Sequence, residues 1–266
     1  MIPLCTVITD YDAHGAWITP EVDRFLVSTS EVEELLLARG IPASKVQVTG
    51  IPVHPDFWTA QNKQTIREEL GIKDMPTALV MGGGWGMLFK EDFIERLSAW
   101  KERVQIVCCV GSNVKLAEKL SQHPLLRHPN IRVMGYTKEV SKWMDASDLL
   151  ITKPGGMTCT EGLAKGIPML FYESIPGMEE KNREYFTKHG LAKDLTSDHE
   201  LDDWFEQVAK LDMTNKQCLN HHKSKIAYEP QRCVDSVMDL LDLNSLSTMS
   251  MEAPVAISAV GQRANY

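Results

Sequence analysis

Short apolar runs alternate along this chain with stretches whose apolar residues recur every three to four positions. The runs predict strands at Leu4–Thr9, Phe25–Val27, Val46–Val48, Ala78–Met81, Ile106–Val110, Ile131–Met134, Leu149–Ile151 and Met169–Phe171. The helical spacing falls between them, at Ser30–Arg39, Gln61–Leu70, Phe89–Trp100, Val114–His123, Val140–Ala146 and Thr160–Lys165. Helices at Glu179–His189, Leu201–Leu211 and Arg232–Leu243 follow the last strand. Strand–helix alternation of this kind predicts an α/β fold, with parallel strands and helices on both faces. Ser30 ahead of Glu31-Val32-Glu33 resembles a capping box, and Gly40 suits the end of that helix. Prolines 52 and 55 interrupt the pattern and predict a boundary, dividing the chain into residues 1–52 and 53–243. From Asn244 the periodicity fades, so 244–266 reads as a disordered tail.

Composition narrows the function. The 266 residues suffice for one large or two small domains, and 43% hydrophobic content is ordinary for a globular chain. A net charge of −8 argues against nucleic acid as a partner. No apolar run reaches transmembrane length, and the first apolar segment ends at Asp10 and Asp12, unlike a secretory leader. The six cysteines lack paired C-x-x-C spacing, so buried, reduced thiols of a cytoplasmic protein are expected, with no zinc site.

Two glycine turns carry the candidate chemistry. The strand at Leu149–Ile151 breaks at Lys153-Pro154-Gly155-Gly156 and is followed by a helix bearing Thr158, Thr160 and Glu161. A strand, a glycine turn and a helix N-terminus aim free N–H groups and the positive dipole end at an anion. Glu161 adds a carboxylate suited to paired sugar hydroxyls, which together favour a sugar nucleotide. The same segment also reads as an ordinary turn with a solvent-facing glutamate. The second turn, Gly82-Gly83-Gly84-Trp85-Gly86, lacks the third glycine of the dinucleotide fingerprint and the Gly-Lys-Ser/Thr of a P-loop. Gly135-Tyr136-Thr137 ends a further strand. Ligands of parallel sheets bind beyond the carboxyl ends of the strands, where all three turns lie.

These segments resemble a known family. Thr9-Asp10-Tyr11-Asp12-Ala13-His14, Val48-Thr49-Gly50-Ile51-Pro52-Val53, Met81-Gly82-Gly83-Gly84, Thr152-Lys153-Pro154-Gly155-Gly156 with Glu161, and Ile175-Pro176-Gly177-Met178-Glu179-Glu180-Lys181-Asn182 occur in the order seen in the monogalactosyldiacylglycerol synthase and processive diacylglycerol glucosyltransferase group of glycosyltransferase family 28. The resemblance implies a GT-B fold: one complete Rossmann-like domain at 53–243 binding the UDP-sugar donor, and in 1–52 the last part of an N-terminal acceptor domain. It also implies a hexosyltransferase that moves sugar from a UDP-hexose to a lipid acceptor such as diacylglycerol, peripheral at the inner face of the membrane. The UDP-sugar is substrate; no cofactor and no metal are expected.

Residue roles follow from the same resemblance. Glu161 would hold the ribose; Gly155, Gly156 and Thr158 the diphosphate; Gly83 and Gly84 would let the leaving phosphate approach. The backbone at Thr137 would read the uracil, and Glu179 and Asn182 would contact the sugar. A helix-capping role is the other reading of Glu179. His14 is the one candidate near the acceptor, although a hydrogen bond to Asp10 or Asp12 is the preferred account of it. The chain departs from the family at His54, where arginine is usual and the histidine would partly replace it at the diphosphate, and at Met178, where glutamine is usual. With a short first domain, weak or no transfer is expected of this chain by itself. A UDP-sugar epimerase of the same fold and a non-catalytic nucleotide-binding remnant are the alternative functions.

Overall fold

The computed structural model describes residues 2–82, 89–210 and 230–251. Among them nine strands form two parallel sheets, one per lobe. The first lobe holds β1 (Cys5–Val7), β2 (Arg24–Val27) and β3 (Val46–Val48), side by side in that order. Helix α1 (Ser30–Ala38) packs Val32 and Leu36 against Ile8, Phe25, Val27 and Val46. Its N-cap is Thr29, whose hydroxyl accepts from the Val32 N–H, not the predicted Ser30. The helix begins one residue earlier than the Ser-x-x-Glu pattern implies, so Ser30 lies inside it.

The second lobe is larger. Its strands are β4 (Thr77–Met81), β5 (Gln105–Cys109), β6 (Ile131–Met134), β7 (Leu149–Thr152), β8 (Met169–Phe171) and β9 (Lys193–Asp194). The spatial order is β6-β5-β4-β7-β8-β9. Alternation decides what each face buries. Ala78, Val80, Ile106, Cys108 and Ile151 pack with α3 (Glu91–Ala99), α4 (Val114–Gln122) and α8 (Asp198–Lys210). Leu79, Val107, Cys109 and Leu150 pack on the other face with α5 (Val140–Ala146), α6 (Gly156–Lys165) and α7 (Met178–Lys188). Helix α2 (Lys63–Leu70) joins that face and carries Arg67, which is 1% exposed and bonded to Asp148, Asp74 and the Ala146 carbonyl.

Strand β9 went unpredicted because its two residues are polar and it lies at the sheet edge. Helix α9 (Pro230–Met251) runs past Asn244, and 252–266 lies outside the described residues. Arg24 donates to the Ser236 carbonyl at 2.5 Å, and Ser236 bonds Gln47, so α9 returns to the first sheet. A single cut at residue 52 therefore does not separate the lobes. Ile51 and Val53 belong to the second lobe's core, and α9 packs with the first.

Candidate functional site

The sheet order places the site. From β4 the chain steps outward through β5 and β6, then returns with β7 to the other side of β4. The carboxyl ends of β4 and β7 therefore sit side by side where the strand order reverses, the crevice in which parallel sheets bind ligands. Thr152 ties the two strand ends together, donating to the Met81 carbonyl at 3.1 Å. The glycine turn 82–86 begins at one edge of this crevice; Gly83 and Gly84 lie outside the described residues. The Lys153–Gly156 turn forms the other edge.

Helix α6 starts directly at Gly156, so its positive end faces the crevice. The N–H groups of Gly156, Met157 and Thr158 have no carbonyl four residues back within the helix. Gly155 serves as N-cap without a side chain, so no side chain caps those donors, while Gly156 itself is buried against Thr9. Glu161 lies one turn after Met157 and Thr158 on the same side of the helix. Among the described contacts, no hydrogen bond or ion pair engages its carboxylate, and burial pushes its carboxyl up to about 7. A half-buried carboxylate without a partner, beside free helix donors, is the pattern of a ligand site.

Thr137 follows β6 on the same rim, and its hydroxyl accepts from the Glu139 N–H at 3.0 Å. Leu79, Met81, Cys109, Val140 and Trp143 pack beneath it and leave no space for a water molecule. Tyr136 beside it is 70% exposed, an aromatic face turned to solvent.

Other predicted residues are placed differently. Asn182 is fully buried, and its amide is spent on Tyr11, Asp10 and Pro154, which leaves nothing for a sugar. Glu179 pairs with Lys153 Nζ at 2.6 Å through one oxygen and accepts from the Ile175 N–H at 2.7 Å through the other. The cap of α7 is instead Glu180, accepting from the Gly177 N–H. His14 is exposed and accepts from its own turn, at Ala16 N, rather than bonding Asp10 or Asp12. His54 faces Asp56, accepting from its N–H, with the Asp56 carboxylate at 3.3 Å.

The sequence reading gave no role to Lys153, the one basic side chain within the β7–α6 turn itself. Its position just before Pro-Gly-Gly at a helix N-terminus was the available signal. Cys108 and Cys159 are buried, their thiols raised by burial, as inert core cysteines are. Among the described residues no cluster of ligating side chains could hold a metal ion, and no helix is long and apolar enough to cross a membrane.

Comparison with known proteins agrees with this layout. Residues 77–236 match the glycosyltransferase family 28 C-terminal domain, and residues 1–53 match monogalactosyldiacylglycerol (MGDG) synthase. A processive diacylglycerol beta-glucosyltransferase of Staphylococcus aureus (strain MRSA252) is 36% identical over 250 residues, 92% of this chain. The chain spans 63% of that relative's length. Acinetobacter baumannii MurG has the same GT-B fold at 17% identity, with a TM-score of 0.58 over 91% of this chain and 67% of its own. The S. aureus MnaA–UDP co-structure aligns with a TM-score of 0.62 at 17% identity, over 91% of this chain and 69% of the other.

Proposed function

Since the chain belongs to glycosyltransferase family 28, we propose that its second lobe binds a UDP-hexose and takes part in transferring the sugar to the hydroxyl of a lipid such as diacylglycerol. The observation that carries this reading is the Glu161 carboxylate, without a partner among the described residues, beside the N-terminus of α6, which no side chain caps, at the point where the sheet order reverses. In this reading the ribose hydroxyls donate to Glu161. The diphosphate sits on the N–H groups of Gly156, Met157 and Thr158, and the uracil lies against the backbone at Thr137.

Transfer is a displacement. The acceptor hydroxyl oxygen bonds to the anomeric carbon as that carbon's bond to the diphosphate breaks, and the hydroxyl proton is released to solvent. Negative charge then builds on the departing UDP. Fixed backbone donors and a helix dipole stabilise such charge without reorganising, the most effective arrangement available to an active site. Lys153 adds a positive charge at the same turn, held in an ion pair with Glu179. In this account the UDP-sugar is a substrate and no further cofactor takes part. A diacylglycerol acceptor resides in a bilayer, so the protein would work at a membrane surface.

Calorimetry with UDP tests donor binding, and labelled UDP-hexose offered with diacylglycerol vesicles tests transfer. Binding with glycolipid formation supports the whole proposal. Conversion of the free sugar nucleotide to an epimer without acceptor would replace transfer with epimerisation. No binding by folded protein would overturn both.

A further inference from the structure

We infer that Asn182 is a positioning residue, a sealed amide through which the first lobe holds the Pro154–Gly156 turn in its donor-binding shape. The inference rests on the donor reading above and adds to it residues that touch no ligand.

The amide joins three backbone segments distant in sequence. Its Oδ1 accepts from the Tyr11 N–H at 2.7 Å, and its Nδ2 donates to Asp10 Oδ1 at 2.7 Å and to the Pro154 carbonyl at 3.0 Å. One orientation alone satisfies all three partners, because Tyr11 N–H must meet an acceptor and the two oxygens must meet donors. Asn182 is 0% exposed, so no water can take its place without rearrangement.

The neighbouring contacts tighten the same join. A Cβ built on Gly156 would lie 2.0 Å from the Thr9 carbonyl oxygen and 2.8 Å from Asp10 Oδ1. Glycine is needed there because the first lobe's backbone presses on the turn. Tyr11 inserts into the second lobe, its hydroxyl 2.9 Å from Thr160 Oγ1 and its ring stacked on Tyr185 at 4.7 Å. Ser28 in turn holds the Asp10 carbonyl at 2.8 Å. An apolar contact would suffice to join two lobes. This join instead uses polar atoms, and one of them is the carbonyl of the turn that leads into α6. Fixing that carbonyl fixes the direction of the next N–H groups. Such supporting contacts hold a site within the tolerance that binding requires.

The test compares UDP affinity and thermal melting of the full chain with those of Asp10→Ala, Asp10→Asn, Asn182→Ala and the Asp10→Ala/Asn182→Ala double variant. Asp10→Asn keeps an oxygen for Asn182 Nδ2. Asp10→Ala and Asn182→Ala are expected to weaken UDP binding roughly tenfold, the effect of one lost hydrogen bond's worth of free energy, while still melting cooperatively. Asp10→Asn should stay within about twofold of the parent by the same measure. The double variant should bind no more weakly than Asn182→Ala, because both changes release one turn. Parental affinity in folded Asp10→Ala or Asn182→Ala overturns the inference, as does an Asp10→Asn variant as weak as Asp10→Ala. If Asn182→Ala does not fold, the two Asp10 variants decide. A well-folded parent chain that fails to bind UDP overturns the donor reading instead.

Discussion

Lys153 and Glu179 form an ion pair of 2.6 Å between the turn after β7 and the first turn of α7, with side chains only 12% and 17% exposed. The pair parks the lysine beside the place proposed for the diphosphate. An arriving diphosphate would compete with Glu179 for the same ammonium. Lys153→Met should therefore weaken UDP binding by about 1–3 kcal/mol, the range for a charge-assisted hydrogen bond. Glu179→Gln frees the lysine and should leave UDP binding equal or tighter. Calorimetry on both variants checks this. Equal weakening by both would mean that the pair serves only the fold.

Glu161 makes donor binding depend on pH. Its carboxyl is raised to about 7 by burial, so half the sites hold a proton near neutrality. The carboxylate accepts from ribose hydroxyls better than the acid does. Affinity for a UDP-hexose should rise as the pH passes upward through about 7, by at most tenfold per unit. Glu161→Gln should bind more weakly and show a flat profile.

The same residue affects stability with the opposite sense. The folded state holds its proton to higher pH than the unfolded state, whose value is the ordinary 4.5. Stability from this group therefore declines as pH rises from 4.5 and is lowest above about 7. Glu161→Gln should stabilise the protein by on the order of 1–3 kcal/mol at pH 8 and by much less at pH 4.5. Denaturant melts at the two pH values measure the difference.

Neighbouring glycines should respond differently to one methyl group. Gly155 has nothing within 4 Å of a built Cβ, whereas that of Gly156 would strike Thr9. Gly155→Ala should change stability by less than about 1 kcal/mol. Gly156→Ala should cost roughly 1–3 kcal/mol or more, as overpacking does. Thermal denaturation separates the two outcomes.

Arg67 supplies a control remote from the crevice. It is 1% exposed and links Asp148 and Asp74. Asp148 keeps Lys63 and Asp74 is 45% exposed, so the cost of Arg67→Ala comes chiefly from the cavity left by a buried side chain, about 2–5 kcal/mol. UDP affinity of the folded fraction should stay unchanged, which titration at low temperature would show.

The sequence by itself determined the α/β alternation, eight of the nine described strands and the glycine turn ahead of α6. Each rests on local physics: runs such as Leu149–Ile151 have no stable home except a buried strand, and Lys153–Gly156 cannot continue one. Only the tertiary structure decided which strands are neighbours, and hence that the ends of β4 and β7 lie side by side where the strand order reverses. It also decided the fate of Asn182 and Glu179, which share a helix turn with good sugar-binding chemistry. Whether a polar side chain is free or spent depends on Asp10, Tyr11 and Lys153, and those partners lie 172, 171 and 26 residues away. Pairing over such distances leaves no periodic trace in the chain, because it depends on where whole elements pack and not on their own composition. The return of α9 to Arg24 and Gln47 escaped the sequence for the same reason.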